Sequence, residues 1–161
     1  FAFMGNEPCE ETPWVYDFFS SPWRRQNVVR RIQNELFTSK PSGIPGNDDA
    51  GALSSWYVFS ALGLYPEIPG VAGFVVGSQV FPRAIFHLEN GAIIQIIGEH
   101  ASPENCYVQK LKVNGRDWES PWIPWSALSA GGTIHFDLGD KPSTWGKDAS
   151  QAPPSFGGDK P

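Results

Sequence analysis

Two short acidic segments carry the residues best suited to chemistry: Gly5-Asn6-Glu7-Pro8-Cys9-Glu10-Glu11 and Pro45-Gly46-Asn47-Asp48-Asp49. Each stands just before a stretch with helical patterning, where the helix dipole and unpaired backbone N–H groups favour carboxylates. Capping accounts for Glu10 and Glu11. It accounts less well for Asp48 and Asp49, because one carboxylate suffices for a cap and the second shares a crowded junction. Glycoside hydrolysis needs two carboxyl groups, one as acid and one as base or nucleophile. Clustered Asn and carboxylate oxygens also suit calcium, which takes roughly six to eight oxygen ligands. No D-x-D-x-D-G run of the EF-hand kind occurs, so an ion would be held by residues from separate loops. Residue type and spacing leave helix caps, an acid/base site and a calcium site all open.

The elements that position these loops change character near residue 66. Thr12-Pro13 reads as an N-cap followed by proline at the first helical position, opening a short helix to about Phe19. Ser21-Pro22 repeats the device and opens a longer helix to about Phe37. Its apolar positions Val28, Val29, Ile32 and Leu36 recur at helical spacing, which places Arg24, Arg25, Arg30, Arg31 and Glu35 on the wet side. Lys40 to Asn47, with Pro41, Gly43, Pro45 and Gly46, is a loop. A third helix is expected from Asp49 or Ala50 to Leu62, stopped by Gly63. It is apolar nearly all round, which requires burial among partners that this chain does not supply. After Pro66 and Pro69 come strand-like runs at 73–77, 84–88, 92–97, 107–113 and 133–138. Asn90-Gly91 and Asn114-Gly115 favour tight hairpins among them. Trp125 to Ser129 forms one helical turn, and the Pro, Gly and Ser content from Lys141 onward implies an extended tail.

Composition narrows the partners. At 161 residues, 40% hydrophobic and 18% charged, the chain can bury a core. A net charge of −5 argues against nucleic acid or an anionic membrane, both of which reward a basic face. Seven Trp, four Tyr and eleven Phe suit stacking on sugar rings, and suit a core equally. No apolar run reaches the roughly 20 residues that span a bilayer. The opening Phe1-Ala2-Phe3-Met4-Gly5 has no initiator Met and no signal-peptide pattern, and it reads as part of a longer polypeptide. Cys9 and Cys106 lack metal-site spacing and allow either a disulfide or two free thiols.

Several motifs together resemble a known family. They are Gly5-Asn6-Glu7-Pro8 with Thr12-Pro13-Trp14 and Tyr16, then the long block Pro45-Gly46-Asn47-Asp48-Asp49-Ala50-Gly51 running through Leu53-Ser54-Ser55-Trp56-Tyr57 to Gly63-Leu64-Tyr65-Pro66. Pro69-Gly70, Gly77-Ser78 and Trp122-Ile123-Pro124 to Gly131-Gly132-Thr133 continue the match over nearly the whole chain. This pattern resembles glycoside hydrolase family 92, calcium-dependent exo-acting α-mannosidases that invert the anomeric centre. The resemblance implies a mixed α and β chain from a larger two-domain enzyme, in which a β-sandwich is followed by an (α/α)6 barrel. Residues 1–66 would be closing helices and active-site loops of the barrel, 67–140 a C-terminal antiparallel β region and 141–161 the tail. It implies Asp49 as the water-activating base with Asp48 close behind. It also implies Asn6 and Glu7 at the mannose, and Asn6, Asn47 and Asp49 as calcium ligands. Among the aromatics, Trp14 and Trp56 could stack on a sugar; Trp56 sits on the buried helix, so Trp14 has the better claim as a substrate-binding residue.

The same resemblance implies secretion, mannose-containing glycans as partners and a general acid upstream of this chain. A member without a strong acid there would be confined to leaving groups needing no proton, such as mannose-1-phospho-6-mannose. Asn47 departs from the acid expected at that position, and Glu10 and Glu11 depart from a less acidic or His-containing loop. The competing class is a non-catalytic carbohydrate-binding or structural module, in which Asp49 merely caps its helix. His87, His100 and His135 stand singly on or near strands and read as surface residues, and the Arg24-Arg25 and Arg30-Arg31 pairs as a solvated helix face.

Overall fold

Prolines set the first two helical starts. Thr12–Phe19, with Pro13 in its first turn, is a 3₁₀ helix that ends where Ser20 turns left-handed at φ 52°. Its run of Val and aromatic residues is poor in α-helix formers, consistent with the tighter winding. Pro22 then opens α1 (Pro22–Leu36). The computed structural model describes residues 3–155; Phe1-Ala2 and the tail's last residues, 156–161, lie outside the described residues.

The third helix starts later than its sequence suggests. Asp49–Gly51 form a left-handed turn, with φ of 40°, 59° and 93°, and α2 spans Ala52–Ala61. Gly63 ends it at φ 76°, packed so closely that a Cβ there would lie 2.9 Å from the Gln79 nitrogen. Val58 on α2 stays 55% exposed. A groove of about 400 Å³ runs between the first helix and α1, lined by Val15, Phe19, Val28, Ile32 and Leu36.

Among the described residues eight strands follow: β1 (Leu64–Tyr65), β2 (Gly73–Val76), β3 (Arg83–His87), β4 (Ile93–Glu99), β5 (Tyr107–Val113), β6 (Arg116–Asp117), β7 (Trp122–Pro124) and β8 (Gly132–Gly139). They form a three-stranded sheet β1-β2-β7 and a five-stranded sheet β3-β4-β8-β5-β6. The second Asn-Gly turn places both residues left-handed, Asn114 at 52° and Gly115 at 76°, matching the twist that a tight hairpin requires. One expectation is corrected: the β region is not purely antiparallel, because β4 and β8 run parallel. The reason is the connection from β4 to β5, which carries Pro103 and is no tight hairpin. It leaves a strand's width between them, and β8 enters there antiparallel to β5.

Alternate residues of the same strands feed two cores. Val76 and Ile123 join Ile96, Val108, Leu111, Ile134 and Phe136 on the inner face of the larger sheet. Val75 and Trp122 point the other way, to Met4, Trp14, Val29, Ile32, Leu53 and Trp56 among the helices. β2 and β7 are thus a shared wall, and the two-residue period of a strand is what lets them serve both sides. Trp145, within the expected tail, is buried against the sheet.

The reading of the Arg24-Arg25 and Arg30-Arg31 pairs as a solvated helix face is also corrected. Arg25 and Arg30 are 0% and 3% exposed, whereas Arg24 and Arg31 face solvent. Arg30 Nε donates to Gln33 Oε1 at 3.2 Å, Nη2 to the Gln79 carbonyl at 3.1 Å, and Nη1 to the Ser102 carbonyl. These carbonyls belong to loops of the sheet layer, so a planar donor fork fastens helix to sheet where an aliphatic side chain would leave polar groups unmet. Arg25 pairs with Asp17, both side chains fully enclosed, and lies over the Trp14 ring. Hydrophobic periodicity cannot see such residues, since it ranks side chains by water preference and not by the acceptors opposite. Arg30→Met should lower stability by about 3 kcal/mol through the orphaned carbonyls, read as a lower urea midpoint at unchanged slope.

Glu67 is buried next to this pair, and its Oε2 has no partner. Burial first, then the charges of Glu11 and Asp17, push its carboxyl from 4.5 up to about 8, against the pull of Arg25. Between those values the native state holds a proton that the unfolded chain has lost, so stability falls as pH rises through the window. Glu67→Gln should remove that slope. Wild type and variant should diverge by a few degrees in unfolding midpoint from pH 5 to 9; parallel profiles would refute the assignment.

Candidate active site

The two acidic loops, far apart in sequence, meet glycine on glycine. A Cβ on Gly46 would lie 2.7 Å from the Gly5 Cα and 3.2 Å from its carbonyl oxygen. Beyond Gly5, Asn6 leads into a short turn, Glu7–Cys9, closed by the Glu10 N–H on the Glu7 carbonyl at 2.9 Å. Trp56 of α2 donates its indole N–H to the Glu10 carbonyl at 2.9 Å, tying this loop to the helix that the other loop opens. Trp14 packs edge-on to Trp56 and stacks on Tyr65 at 4.6 Å.

The adjacent aspartates have different tasks. Asp48 accepts the Ser54 N–H on Oδ1 and the Ser54 hydroxyl on Oδ2, both at 2.8 Å. Its carbonyl accepts the N–H groups of Gly51 and Ala52. Asp48 is therefore the cap of α2, reached across the left-handed turn. The Asp49 carboxylate takes no part in that cap and is solvent-exposed. Ala50, with a Cβ and φ 59°, holds a conformation that costs about 1–2 kcal/mol, and such strain gathers at functional sites.

Charge is concentrated where the loops meet. The Asp49 carboxyl is held above the usual aspartate range by local desolvation, then by the Glu7 carboxylate, which stands at hydrogen-bonding reach, and by Asp48. Burial raises Glu10 likewise, with Glu7, Glu11, Asp48 and Asp49 adding to it. Glu10 is 7% exposed and its Oε1 has no partner. Two carboxylates facing each other need a shared proton or a cation between them. Asn6, Glu7, Asn47 and Asp49 offer hard oxygen donors, the chemistry calcium prefers. No group of three or more His, Cys, Asp and Glu side chains arranged to hold a metal occurs among the described residues.

A carboxylate left out of the cap beside a second acidic loop is a group that acid/base chemistry can use, and comparison with known proteins gives the chain's family. The family model of the glycosyl hydrolase family 92 catalytic domain matches residues 1–140. The chain belongs to glycosyl hydrolase family 92. A family GH92 alpha-mannosidase of Bacteroides thetaiotaomicron, solved with mannoimidazole, superposes with a TM-score of 0.92 at 30% identity over 95% of this chain and 20% of that one. The family GH92 inverting mannosidase of Bacteroides thetaiotaomicron VPI-5482 gives 0.87 at 28% identity, over 94% of this chain and 21% of that one. An uncharacterized secreted glycosidase of Arthroderma benhamiae is 30% identical over 96% of this chain and 20% of its own length. The family 92 chain thus spans about a fifth of the length of these relatives.

Of the residues singled out from sequence, the structure brings Glu7, Asp48 and Asp49 together, with exposed Asn6 and Asn47 on the same loops. Trp14 is corrected: it is 0% exposed, with one face on Tyr65 and its edge toward Trp56, and has no surface to offer a sugar. Cys9 and Cys106 are free thiols. His100 and His135 are surface residues bonded to Asp137 and Glu99, and His87 is exposed on β3. Sequence reasoning missed Ser54, whose signal was a hydroxyl in the first turn of a helix following tandem acids. It also missed the Gly5–Gly46 contact, which no pattern encodes. Gly46→Ala should drive the loops apart, because the obstacle is backbone and cannot swing aside. Faster amide hydrogen exchange at residues 5–10 and 47–51 should report it, with the sheet unaffected; unchanged exchange in both loops would show that the contact is dispensable.

Proposed function

We propose that the complete protein hydrolyses terminal α-linked mannose with inversion, and that Asp49 is the general base. The observation that carries this is the division between adjacent acids: Asp48 satisfies the helix, leaving Asp49 uncommitted and turned toward Glu7. A base must be ionised at working pH yet basic enough to take a proton, and a carboxyl raised by local desolvation and a neighbouring carboxylate is suited to that task. Asp49 takes a proton from water as that oxygen attacks the anomeric carbon. The leaving oxygen departs with the bonding electrons and is protonated by an acid outside this chain, so each half of the site performs one proton transfer.

Asn6 and Glu7 contact the terminal mannose from the opposite loop. Asn6, Asn47 and Asp49 would hold calcium, which supplies a positive charge for the vicinal hydroxyls of the sugar and favours a distorted ring. The exposed Val58 face of α2 and the groove beside α1 take the preceding helices of an (α/α)6 barrel, itself preceded by a β-sandwich. Residues 1–66 complete that barrel and 67–140 form the C-terminal β region. The name of the fungal relative supports a secreted glycosidase, and those of the two bacterial mannosidases support mannose-containing glycans as its substrates.

In the full-length enzyme, Asp49→Ala should lower kcat on an aryl α-mannoside by about 10²–10⁴-fold. Added azide, a nucleophile needing no base, should restore turnover and give the β-mannosyl azide. Hydrolysis at the wild-type rate would eliminate Asp49 as the base.

A further inference from the structure

The turn that presents Asp49 does not hold itself. Asp49, Ala50 and Gly51 are successively left-handed and lie directly before α2, where right-handed winding would simply extend the helix backward by most of a turn. Ala50 has no side chain able to favour its own strained conformation, and nothing lies within 4 Å of a Cβ placed on Gly51 to wedge it there. What brackets the turn is Asp48 on one side and the first turn of α2 on the other. The Asp48 carbonyl accepts from Gly51 at 2.9 Å and Ala52 at 2.7 Å, while its carboxylate reaches over the turn to Ser54. Ser54 meets both carboxylate oxygens, one with its backbone N–H and one with its hydroxyl. A main-chain bond alone would leave the carboxylate free to rotate about the remaining contact; the hydroxyl removes that rotation.

We infer that Ser54 is a positioning residue for the general base. It clamps Asp48, and Asp48 in turn keeps the left-handed turn wound so that Asp49 faces the Glu7 loop. Ser54 need not touch the sugar. Releasing the hydroxyl should therefore loosen the aim of Asp49. This inference rests on the reading of Asp49 as base.

The test uses the full-length enzyme with Ser54→Ala, Ser54→Thr and Asp49→Ala, assayed on an aryl α-mannoside. Ser54→Ala should reduce kcat by about 10–100-fold, as expected when a catalytic group loses its orientation, with KM changed less than about twofold. Ser54→Thr, which keeps the hydroxyl, should recover most of the rate. A Ser54→Ala enzyme with wild-type kcat overturns the proposal. So does a rate loss that follows the loss of folded protein and is not recovered by Thr. A crystal structure of Ser54→Ala separates the two layers: unchanged φ at Asp49 and Ala50 removes the clamp, whereas wild-type turnover by Asp49→Ala removes the base.

Discussion

The site depends on one steric condition, that two backbones touch where neither residue has a side chain. Gly5 and Gly46 allow the acidic loops to approach until the first Cβ placed between them would collide with main chain. Everything electrostatic follows from that distance. Carboxylates in loops so far apart in sequence would ordinarily repel one another into solvent, where dissolved salt screens them beyond about a Debye length. Held together by backbone contact and by the Trp56 bond to the Glu10 carbonyl, they cannot separate, and Asp49 and Glu10 rise above their usual range instead. The repulsion is converted from a force that opens the structure into a bias on proton affinity.

Such a contact persists only if the elements behind it are rigid, and the rigidity comes from an unusual source. α1 is fastened to the sheet layer by buried polar side chains as much as by its apolar stripe. Arg30 bonds the carbonyls of Gln79 and Ser102, Gln26 accepts from the Val108 N–H, and Gln33 reaches Ser60 on α2. Bonds to carbonyls are directional, so they fix the rotation of a helix about its axis where apolar packing alone tolerates slippage. The Arg25–Asp17 pair joins α1 to the first helix but stands apart energetically: burial raises Asp17 against the pull of Arg25, and Asp17 Oδ1 remains without a partner. That pair specifies geometry more than it adds stability.

What could be read from the sequence was whatever is encoded locally. Proline in the first turn marked the openings of the first helix and α1, Asn114-Gly115 marked its hairpin, and strand periodicity located β2, β3, β4, β5 and β8 within about two residues. The tandem acids and the motifs around them identified the family, because a pattern of that length carries its own specificity. What could not be read depends on meetings between distant segments. Arg25 and Arg30 look like wet residues until carbonyls of other loops are placed opposite them, and Trp14 looks like a sugar platform until Tyr65 covers its face. The parallel pairing of β4 with β8 is of the same kind, decided by a gap that β5 leaves and not by either strand's residues.

The late start of α2 belongs to both categories. Asp48-Asp49-Ala50-Gly51 contains a good cap and a good helix former, and local preference alone would begin the helix at Asp49. The structure instead gives up those turns and places Ala50 in a conformation that it disfavours. An Asp in the first turn of a regular helix would direct its carboxylate to the backbone N–H groups beside it and be held low by them. Displacing the cap to Asp48 and unwinding the following residues releases Asp49 from those donors and leaves it facing acid. One aspartate cannot both cap a helix and remain basic. Two in succession can divide those tasks, provided that something holds the turn between them open, and in this chain the bonds that do so run from Asp48 to Ser54.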